Sequence, residues 1–288
     1  EENFKVFKKL ESHLFGIPVR YRDINLLGNL IKTNYLEIHM SMNDIKNNQF
    51  TELKNIVKTK KIGFHAPDIY EGNLVFDPIS KNQENAFNSN KWFQKLCDHI
   101  KVFYEEMKLS YKVNCVTSFS SYSENYHDDS RKNEYKLIND FINKFEKRYS
   151  FINILPQTLP ALAWYLGGQR FVNTFAHPKE IFNFCKQYNK PICLDISHLF
   201  MACNFYNEDF HKWSFKILPY AKHLHLAGAN GIDDEGLGLE ESPKMIEFLK
   251  FILKNNNKKR SFIVETWQGH LNSGDGFVND LHYLEQLS

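Results

Sequence analysis

Short apolar runs alternate along this chain with longer segments whose apolar residues recur at helical spacing. Eight runs have the length and composition of β-strands. They are Gly16–Tyr21, Tyr35–Met40, Ile62–Ala66, Tyr111–Thr117, Phe151–Leu155, Ile192–His198, Ala221–Leu226 and Ser261–Glu265. Helical patterns are predicted between them, after Asp23 (with Leu26, Leu27, Leu30 and Ile31 on the apolar face), at 43–58, from Trp92 to Phe103, at 130–148, His177–Tyr188, 208–217, Ser242–Lys254 and Asp275–Leu287. Residues 68–90 are rich in Asn, Asp, Ser, Gly and Pro, which predicts a long loop.

Eight strand–helix alternations predict a parallel sheet that closes into a single (β/α)8 TIM barrel of the α/β class. We assign residues 15–288 to the barrel and residues 1–14 to a polar lead-in segment. An open doubly wound sheet is the alternative, although no Gly-x-Gly-x-x-Gly motif follows the first predicted strand. The chain begins with Glu instead of Met, from which we expect a processed chain or the C-terminal domain of a larger protein.

Composition narrows the classes of partner. The net charge is +2, and basic and acidic residues are interspersed, which argues against the concentrated basic surface that binds nucleic acid. The five cysteines form no Cys-x-x-Cys motif, which argues against a disulfide scaffold and favours a reducing compartment. No apolar run approaches the roughly 20 residues that span a bilayer. We therefore expect a cytoplasmic protein without a nucleic-acid or membrane partner.

Polar residues collect at the ends of the predicted strands, where TIM barrels place their active sites. They are Glu37, His39, His65, Gln157, Asp195, His198, His223, His225 and Glu265. Burial of so many titratable groups is costly unless they are paired or bind a metal, so the pattern indicates a functional site. Carboxylate and imidazole ligands suit Mn²⁺, Mg²⁺, Co²⁺ or Zn²⁺. Such an ion can hold sugar oxygens and polarise a carbonyl while a nearby side chain moves a proton.

Structural roles are the alternative for each of these residues. Asp195 and His198 could brace the barrel rim as a buried pair, and Glu265 could pair with a local cation. We assign His223 a structural role and expect Glu37 and His39 to hydrogen-bond inside the barrel mouth. Further candidates are the rings that could stack on a sugar (Trp164, Trp267, Phe200 and Tyr206) and the arginines that could bind a carboxylate or phosphate (Arg20, Arg22 and Arg170).

Four motifs resemble those of the xylose-isomerase-like TIM barrels. They are Phe64-His-Ala-Pro67, Leu194-Asp-Ile-Ser-His198, His223-Leu-His225 and Glu265. This superfamily includes sugar isomerases, ketose 3-epimerases, inosose dehydratases and endonuclease IV. The resemblance implies that Asp195, His225 and Glu265 bind a divalent metal, with Gln157 in place of the usual strand-five glutamate. It also implies catalytic roles for Glu265 and His198, and substrate contacts for His65, His39, Arg170, Trp267 and His270.

A second set of motifs is similar to the barrel domain attached downstream of N-acetylneuraminate synthase-type domains. The set comprises Pro156-Gln-Thr-Leu-Pro160, Gly167-Gly-Gln-Arg170, Ala202-Cys-Asn204, Asp234-Glu-Gly236 and Trp267-Gln-Gly-His270. This resemblance implies a role in nonulosonic (sialic-type) acid metabolism and a covalently linked synthase domain.

The leading hypothesis is a metal-dependent sugar or sugar-phosphate isomerase or epimerase. Because strand five lacks a carboxylate, the alternative is a barrel that has lost catalysis and serves as a sugar-binding or assembly domain. An apurinic endonuclease is a third hypothesis. It is weakened by the incomplete ligand set, including Gly236 where the nuclease branch can have a metal-binding histidine, and by the lack of a basic groove.

Overall fold

Eight parallel strands form the centre of the molecule in the computed structural model, which describes residues 5–46, 50–123, 130–162, 171–233, 236–255 and 260–288. The strands are β1 (Leu14–Val19), β2 (Tyr35–His39), β3 (Lys61–His65), β4 (Val113–Thr117), β5 (Ile152–Pro156), β6 (Ile192–Asp195), β7 (Ala221–Leu226) and β8 (Ser261–Val264). They follow the order β6-β7-β8-β1-β2-β3-β4-β5, and a parallel bridge between Gln157 and Cys193 joins the two ends. The predicted single (β/α)8 barrel is confirmed.

Helices surround the barrel. They are α1 (Ile24–Leu30), α2 (Met42–Lys46), α3 (Gln83–Glu106), α4 (Ser130–Arg148), α5 (Pro178–Tyr188), α6 (Ile196–Tyr206), α7 (Phe210–Ile217), α8 (Ile246–Asn255) and α9 (Leu271–Leu287). Their apolar faces pack on the outward-facing side chains of the strands in one continuous core. Within the described ranges, no helix has the length and apolar character that crossing a membrane requires.

Two helices depart from the predicted pattern. Helix α3 begins inside the predicted 68–90 loop, because the Asn82 side chain caps it by accepting hydrogen bonds from the Glu84 and Asn85 N–H groups at 3.0 and 3.1 Å. Helix α6 was not predicted at all. Most of its residues are buried, so it lacks the apolar–polar period by which an amphipathic helix is recognised.

Other boundaries differ from prediction as well. The sixth strand, for example, ends at Asp195 and not at His198, because α6 begins at Ile196. Strand β1 begins at Leu14, two residues before the predicted start. Inside β1, Gly16 lies against the backbone of β2, where an added Cβ would fall 2.1 Å from Tyr35 O. The predicted helix at 43–58 is instead the short α2 followed by two 3₁₀ turns, Thr51–Lys54 and Ile56–Lys58.

The barrel interior is unusually polar. TIM-barrel interiors are normally filled by layers of Val, Ile and Leu. Here Asn114 of β4 donates a hydrogen bond across the barrel to Ser261 Oγ of β8 at 3.5 Å, and Asn153 donates to Asn114 Oδ1 at 3.1 Å. Above them, His223 of β7 meets Glu37 of β2 at 3.0 Å. A column of polar side chains therefore runs up the barrel toward the carboxyl ends of the strands.

Asp280 ties the closing helix α9 to the upper end of the barrel. Its Oδ1 accepts a hydrogen bond from the Leu239 N–H at 2.8 Å, and Thr266 Oγ1 donates to its Oδ2. Burial raises the pKa of this carboxyl to about 6. The folded protein therefore holds the Asp280 proton more tightly than the unfolded chain does.

We expect Asp280 to make stability decrease as the pH rises from about 4 to about 7. The stabilisation is complete below the unfolded-state pKa and is lost as the pH rises through the folded-state value. The free energy of unfolding of the wild type should fall by roughly 2–3 kcal/mol relative to that of Asp280→Asn over this range. Urea unfolding at a series of pH values measures the difference.

Asp275→Asn is the matched control, because Asp275 is an exposed acid on the same helix. It corrects for the general loss of one negative charge. If the free energies of unfolding of the wild type and Asp280→Asn differ by the same amount at every pH in this range, the prediction is wrong.

Candidate active site at the barrel mouth

A cavity of about 300 Å³ opens at the carboxyl ends of the strands. Its lining includes eight of the residues predicted from the sequence, namely Arg20, His39, His65, Gln157, Asp195, His198, Glu265 and Trp267. Ser118 and Asn173 also line it. His225 lies directly beneath and is fully buried. The strand ends therefore converge on one site, as their pattern in the sequence indicated.

Asp195, His225 and Glu265 form the floor of the cavity, and we call these three residues the upper site. One donor atom from each lies within 4.8 Å of the other two. His225 Nδ1 is 2.6 Å from Glu265 Oε2 and 3.8 Å from Asp195 Oδ2. Two carboxylates and one imidazole at this spacing fit a divalent ion, because the ion would neutralise two negative charges that otherwise face each other.

Asp195 is oriented by the start of helix α6. Its Oδ1 caps the helix, accepting hydrogen bonds from the His198 N–H at 3.0 Å and the Ser197 hydroxyl at 2.9 Å. The Asp195 N–H in turn donates to Thr158 Oγ1 at 2.9 Å. These contacts occupy one carboxylate oxygen and leave Oδ2 directed at the cavity.

Gln157 closes the fourth side of the cluster. Its Nε2 donates to Asp195 Oδ2 at 3.0 Å and lies 3.2 Å from His225 Nδ1, while its Oε1 is 2.9 Å from His65 Nε2. The residue occupies the place beside the upper site where the resemblance implied a glutamate. It brings an amide there, which is uncharged and can neither lose nor gain a proton at neutral pH.

His198 lies at the edge of the cavity with a defined tautomer. Its Nδ1 is 2.8 Å from Thr158 O and 3.2 Å from Asp195 Oδ2. A carbonyl oxygen only accepts hydrogen bonds, so Nδ1 carries the hydrogen and Nε2 is the basic nitrogen. This arrangement suits His198 for proton transfer.

Glu37 is the residue whose importance the sequence analysis missed. Its side chain is fully buried, and its oxygens lie 3.0 Å from His39 Nε2, 3.0 Å from His223 Nε2 and 3.0 Å from His225 Nε2. Glu37 and His39, both expected to hydrogen-bond inside the barrel mouth, hydrogen-bond to each other. The two further contacts make this carboxylate the centre of a group of three imidazoles.

The charge of this group follows from its contacts. Burial opposes ionisation of Glu37, but His225 and His223 outweigh burial and hold its pKa well below the usual value. Burial lowers the pKa of His225, but Cys193, Glu265 and Glu37 together raise it well above the usual value. Burial lowers the pKa of His223, which stays neutral. A Glu37–His225 ion pair therefore lies beneath the cavity. The alternation of β2 and β7 was the available signal, since it points Glu37, His223 and His225 inward.

Several predicted contacts are not found at the cavity. His270 is exposed at the start of α9, because a turn from Thr266 to Gly269 carries the chain away from the cavity. Phe200 is buried against Phe210, and Tyr206 packs at a tilt against the His177 ring, so neither ring lines the cavity. Of the four aromatic candidates, Trp267 is at the rim, with 72% of its surface exposed. Arg22 is exposed away from the lining, and Trp164 and Arg170 lie outside the described residues.

Comparison with solved structures identifies the fold. No protein-family model matches the sequence, and no match was found among curated proteins. A D-tagatose 3-epimerase-like protein is similar with a TM-score of 0.63 at 16% identity, covering 94% of this chain and 98% of that chain. A putative xylose isomerase from Rhodospirillum rubrum gives 0.62 at 13%, covering 92% and 90%. Endonuclease IV from Thermus thermophilus gives 0.60 at 13%, covering 94% and 99%. The structural neighbours are thus xylose-isomerase-like TIM barrels.

Substitution of Glu37 by Gln should destabilise the fold by about 3 kcal/mol, because it removes the buried carboxylate that faces three imidazoles and leaves the His225 imidazolium without the charge beneath it. Urea unfolding measures the loss. Glu71→Gln is the control, because Glu71 pairs with Lys46 at 2.8 Å on the exposed surface. That pair should contribute no more than about 1 kcal/mol. Equal effects of the two substitutions would contradict the central role of Glu37.

Proposed function

We propose that this chain is a metal-dependent sugar or sugar-phosphate isomerase or epimerase. The observation that carries the proposal is the convergence of Asp195, His225 and Glu265 on the floor of the mouth cavity. Structural similarity to a D-tagatose 3-epimerase-like protein and to a putative xylose isomerase supports a sugar as the substrate. When bound, a divalent ion (Mn²⁺, Mg²⁺, Co²⁺ or Zn²⁺) would hold adjacent sugar oxygens and polarise the carbonyl.

Gln157 joins the upper site as an oxygen ligand only if its amide rotates. In the structure its nitrogen faces Asp195 and its oxygen faces His65. His65 Nδ1 donates to Ala66 O at 2.8 Å, so in neutral His65 the Nε2 atom is an acceptor. It therefore faces a second acceptor, the amide oxygen of Gln157. Half a turn of the amide would let Nε2 of Gln157 donate to His65 and would direct the oxygen to the upper site.

Glu265 is the proposed base for removing the proton next to the carbonyl. Its side chain is 28% exposed and lines the cavity, and the neighbouring imidazoles, led by His225, outweigh burial to lower its pKa. His198 is the proposed second proton carrier, through its basic Nε2. Isomerisation needs one base, whereas epimerisation needs proton donors and acceptors on opposite faces of one carbon. Because Gln157 cannot transfer a proton, inversion would depend on His198.

The remaining cavity residues are proposed to bind the sugar. Trp267 offers an exposed indole face at the rim for the apolar face of the ring. His39 and His65 line the cavity and pack against each other at a tilt of 31°, with ring centroids 4.7 Å apart, and are proposed to contact the sugar. Arg20, held by a hydrogen bond from Nη1 to His39 O at 3.1 Å, could bind a phosphate or carboxylate. The proposed contact from Arg170 stays a prediction.

A sugar-binding domain without catalysis is the second candidate, and the amide at position 157 favours it. This candidate keeps the cavity and the sugar contacts but predicts no turnover. The apurinic endonuclease is the third candidate, supported only by the fold shared with endonuclease IV. Cleavage of abasic DNA in the presence of zinc would decide for it.

The metabolic setting proposed for this chain rests on its resemblance to the barrel domain attached downstream of N-acetylneuraminate synthase-type domains. We propose that the barrel serves nonulosonic acid metabolism and is linked to a synthase domain in the same polypeptide. We also keep the cytoplasm as the proposed location. All five cysteines are unpaired and buried, which suits a reducing compartment.

Asp195→Asn should weaken Mn²⁺ binding by roughly 100-fold, because it removes a charged ligand while the amide oxygen can still cap α6. Isothermal titration calorimetry measures binding. Solvent deuterium incorporation into D-tagatose and related ketoses, followed by NMR, measures proton transfer next to the carbonyl. We expect Mn²⁺-dependent incorporation by the wild type and its loss in the variant.

Asp209→Asn is the matched control, because Asp209 caps α7 as Asp195 caps α6 but does not line the cavity. It should bind Mn²⁺ like the wild type. Stoichiometric Mn²⁺ and sugar binding without deuterium incorporation would favour the binding domain. Absence of divalent-ion binding, together with sugar binding unaffected by Ala at all three upper-site positions, would contradict both metal dependence and the assigned site.

Gln157→Glu should strengthen Mn²⁺ binding about tenfold or more, since it adds a charged oxygen ligand beside the upper site. The metal-free variant should be less stable than the wild type, because the new carboxylate faces Asp195 and Glu265. Calorimetry and urea unfolding with and without Mn²⁺ measure the two effects. If the substitution weakens Mn²⁺ binding, position 157 does not face the ion.

A further inference from the structure

A second group of metal-ligand side chains lies below the upper site, and we call it the lower site. It consists of Cys193 on β6 with His223 and His225 on β7, all fully buried. Cys193 pairs in register with His223, and Asp195 pairs with His225, so alternate residues of the two strands point inward together. One donor atom from each lower-site residue lies within 4.8 Å of the other two.

Three buried polar atoms around the lower site contact one another without forming aligned hydrogen bonds. His223 Nε2, His225 Nε2 and Glu37 Oε2 are buried, and among the described residues none makes an aligned hydrogen bond, although the nitrogen–oxygen contacts are 3.0 Å long. His223 Nδ1 is held by Ser261 Oγ at 2.6 Å, which fixes Nε2 toward the lower site. The contacts of these atoms with one another are poorly aligned, and an ion that binds the two imidazole nitrogens directly would compensate their burial better.

We propose that Cys193, His223 and His225 form a second cation site, selective for a soft divalent ion such as Zn²⁺, with Glu37 beside it. Thiolate and imidazole are the ligands that zinc and cobalt accept and that Mg²⁺ and Mn²⁺ disfavour. The Cys193 thiolate and the Glu37 carboxylate supply two negative charges, which neutralise a divalent ion in the dry interior. The ligand atoms need to approach one another by about 1 Å to reach zinc distances of roughly 2.3 Å for sulfur and 2.0 Å for nitrogen.

Binding at the lower site releases two protons. Zinc binds a thiolate and neutral imidazole nitrogens, so the Cys193 thiol gives up its hydrogen and the His225 imidazolium gives up the hydrogen on Nε2. Both protons pass to solvent and balance the new metal–sulfur and metal–nitrogen bonds. No change of oxidation state is involved.

His225 is shared by the two sites. Its Nδ1 faces Asp195 and Glu265, and its Nε2 faces Glu37 and the lower site. A neutral imidazole has a lone pair on only one nitrogen, so it binds one ion at a time. An ion in the lower site therefore excludes one from the upper site, and zinc should inhibit whatever activity the upper site has. Only this last consequence rests on the proposed function.

Cobalt distinguishes the sites, because a cobalt–thiolate bond gives charge-transfer absorption in the near ultraviolet and a carboxylate ligand does not. Metal-free wild type titrated with Co²⁺ should develop this absorption with one ion bound per chain. Asp195→Asn should keep the absorption. Cys193→Ser should lose it and still bind one Co²⁺ in the upper site, and the double variant should bind none.

Cys115→Ser is the control, because Cys115 is another buried thiol on a barrel strand. It should keep the absorption. Cys193→Ala provides a second test if the serine variant folds poorly, as judged by circular dichroism. Absorption that is absent from both the wild type and Asp195→Asn, or that persists without Cys193, would overturn the lower site. Two cobalt ions per chain would overturn the exclusive sharing of His225.

The test separates this proposal from the proposed function. Loss of ketose turnover has no bearing on the cobalt absorption, and the absorption in Asp195→Asn is independent of the upper site. If ketose turnover is found, micromolar zinc should suppress it in the wild type, and Cys193→Ser should be at least tenfold less sensitive. Equal sensitivity would overturn the inhibitory role.

Discussion

The buried carboxylate of Glu37 is the group on which the interior of this barrel depends. It carries a full negative charge where TIM barrels normally place aliphatic side chains. Three imidazoles from β2 and β7 contact it, and one of them, His225, reaches the floor of the mouth cavity. Desolvation of such a charge is tolerated only because a cation lies against it. The polar column and the mouth are therefore one electrostatic unit. Glu37 below His225 and Glu265 above it both favour the protonated form of its imidazole.

Much of the architecture was accessible from the sequence because strand-length apolar runs alternate with amphipathic segments. Helix α4 and strand β7 have the predicted boundaries, since clear periodicity and clear turn signals delimit them. Helix α6 could not be found in this way, because a helix buried on nearly all sides has no polar face to mark its period. The start of α3 depended on a single capping side chain, Asn82, within a segment whose composition otherwise predicts a loop.

The residues of the site also divide into those that strand patterns predict and those that they do not. The rule that strand ends meet at one face of a barrel was sufficient to bring Asp195, His225 and Glu265 together. It was not sufficient for Glu37, because the sequence does not give the pairing partner of a residue that points across a barrel. Cys193 was missed for a similar reason, since its chemistry appears only beside His223 of the neighbouring strand. His270 was misplaced because a local turn, invisible to strand patterning, directs it away.

One further consequence follows from the junction between β6 and α6. Most TIM-barrel enzymes vary their chemistry by exchanging the loops that follow the strands. At this junction there is no loop to exchange, because the last residue of β6 is also the cap of α6. An insertion here would separate Asp195 from the backbone N–H group that orients it and would leave the first turn of the helix uncapped. Evolution at this corner of the barrel is thus confined to point substitution within a fixed frame.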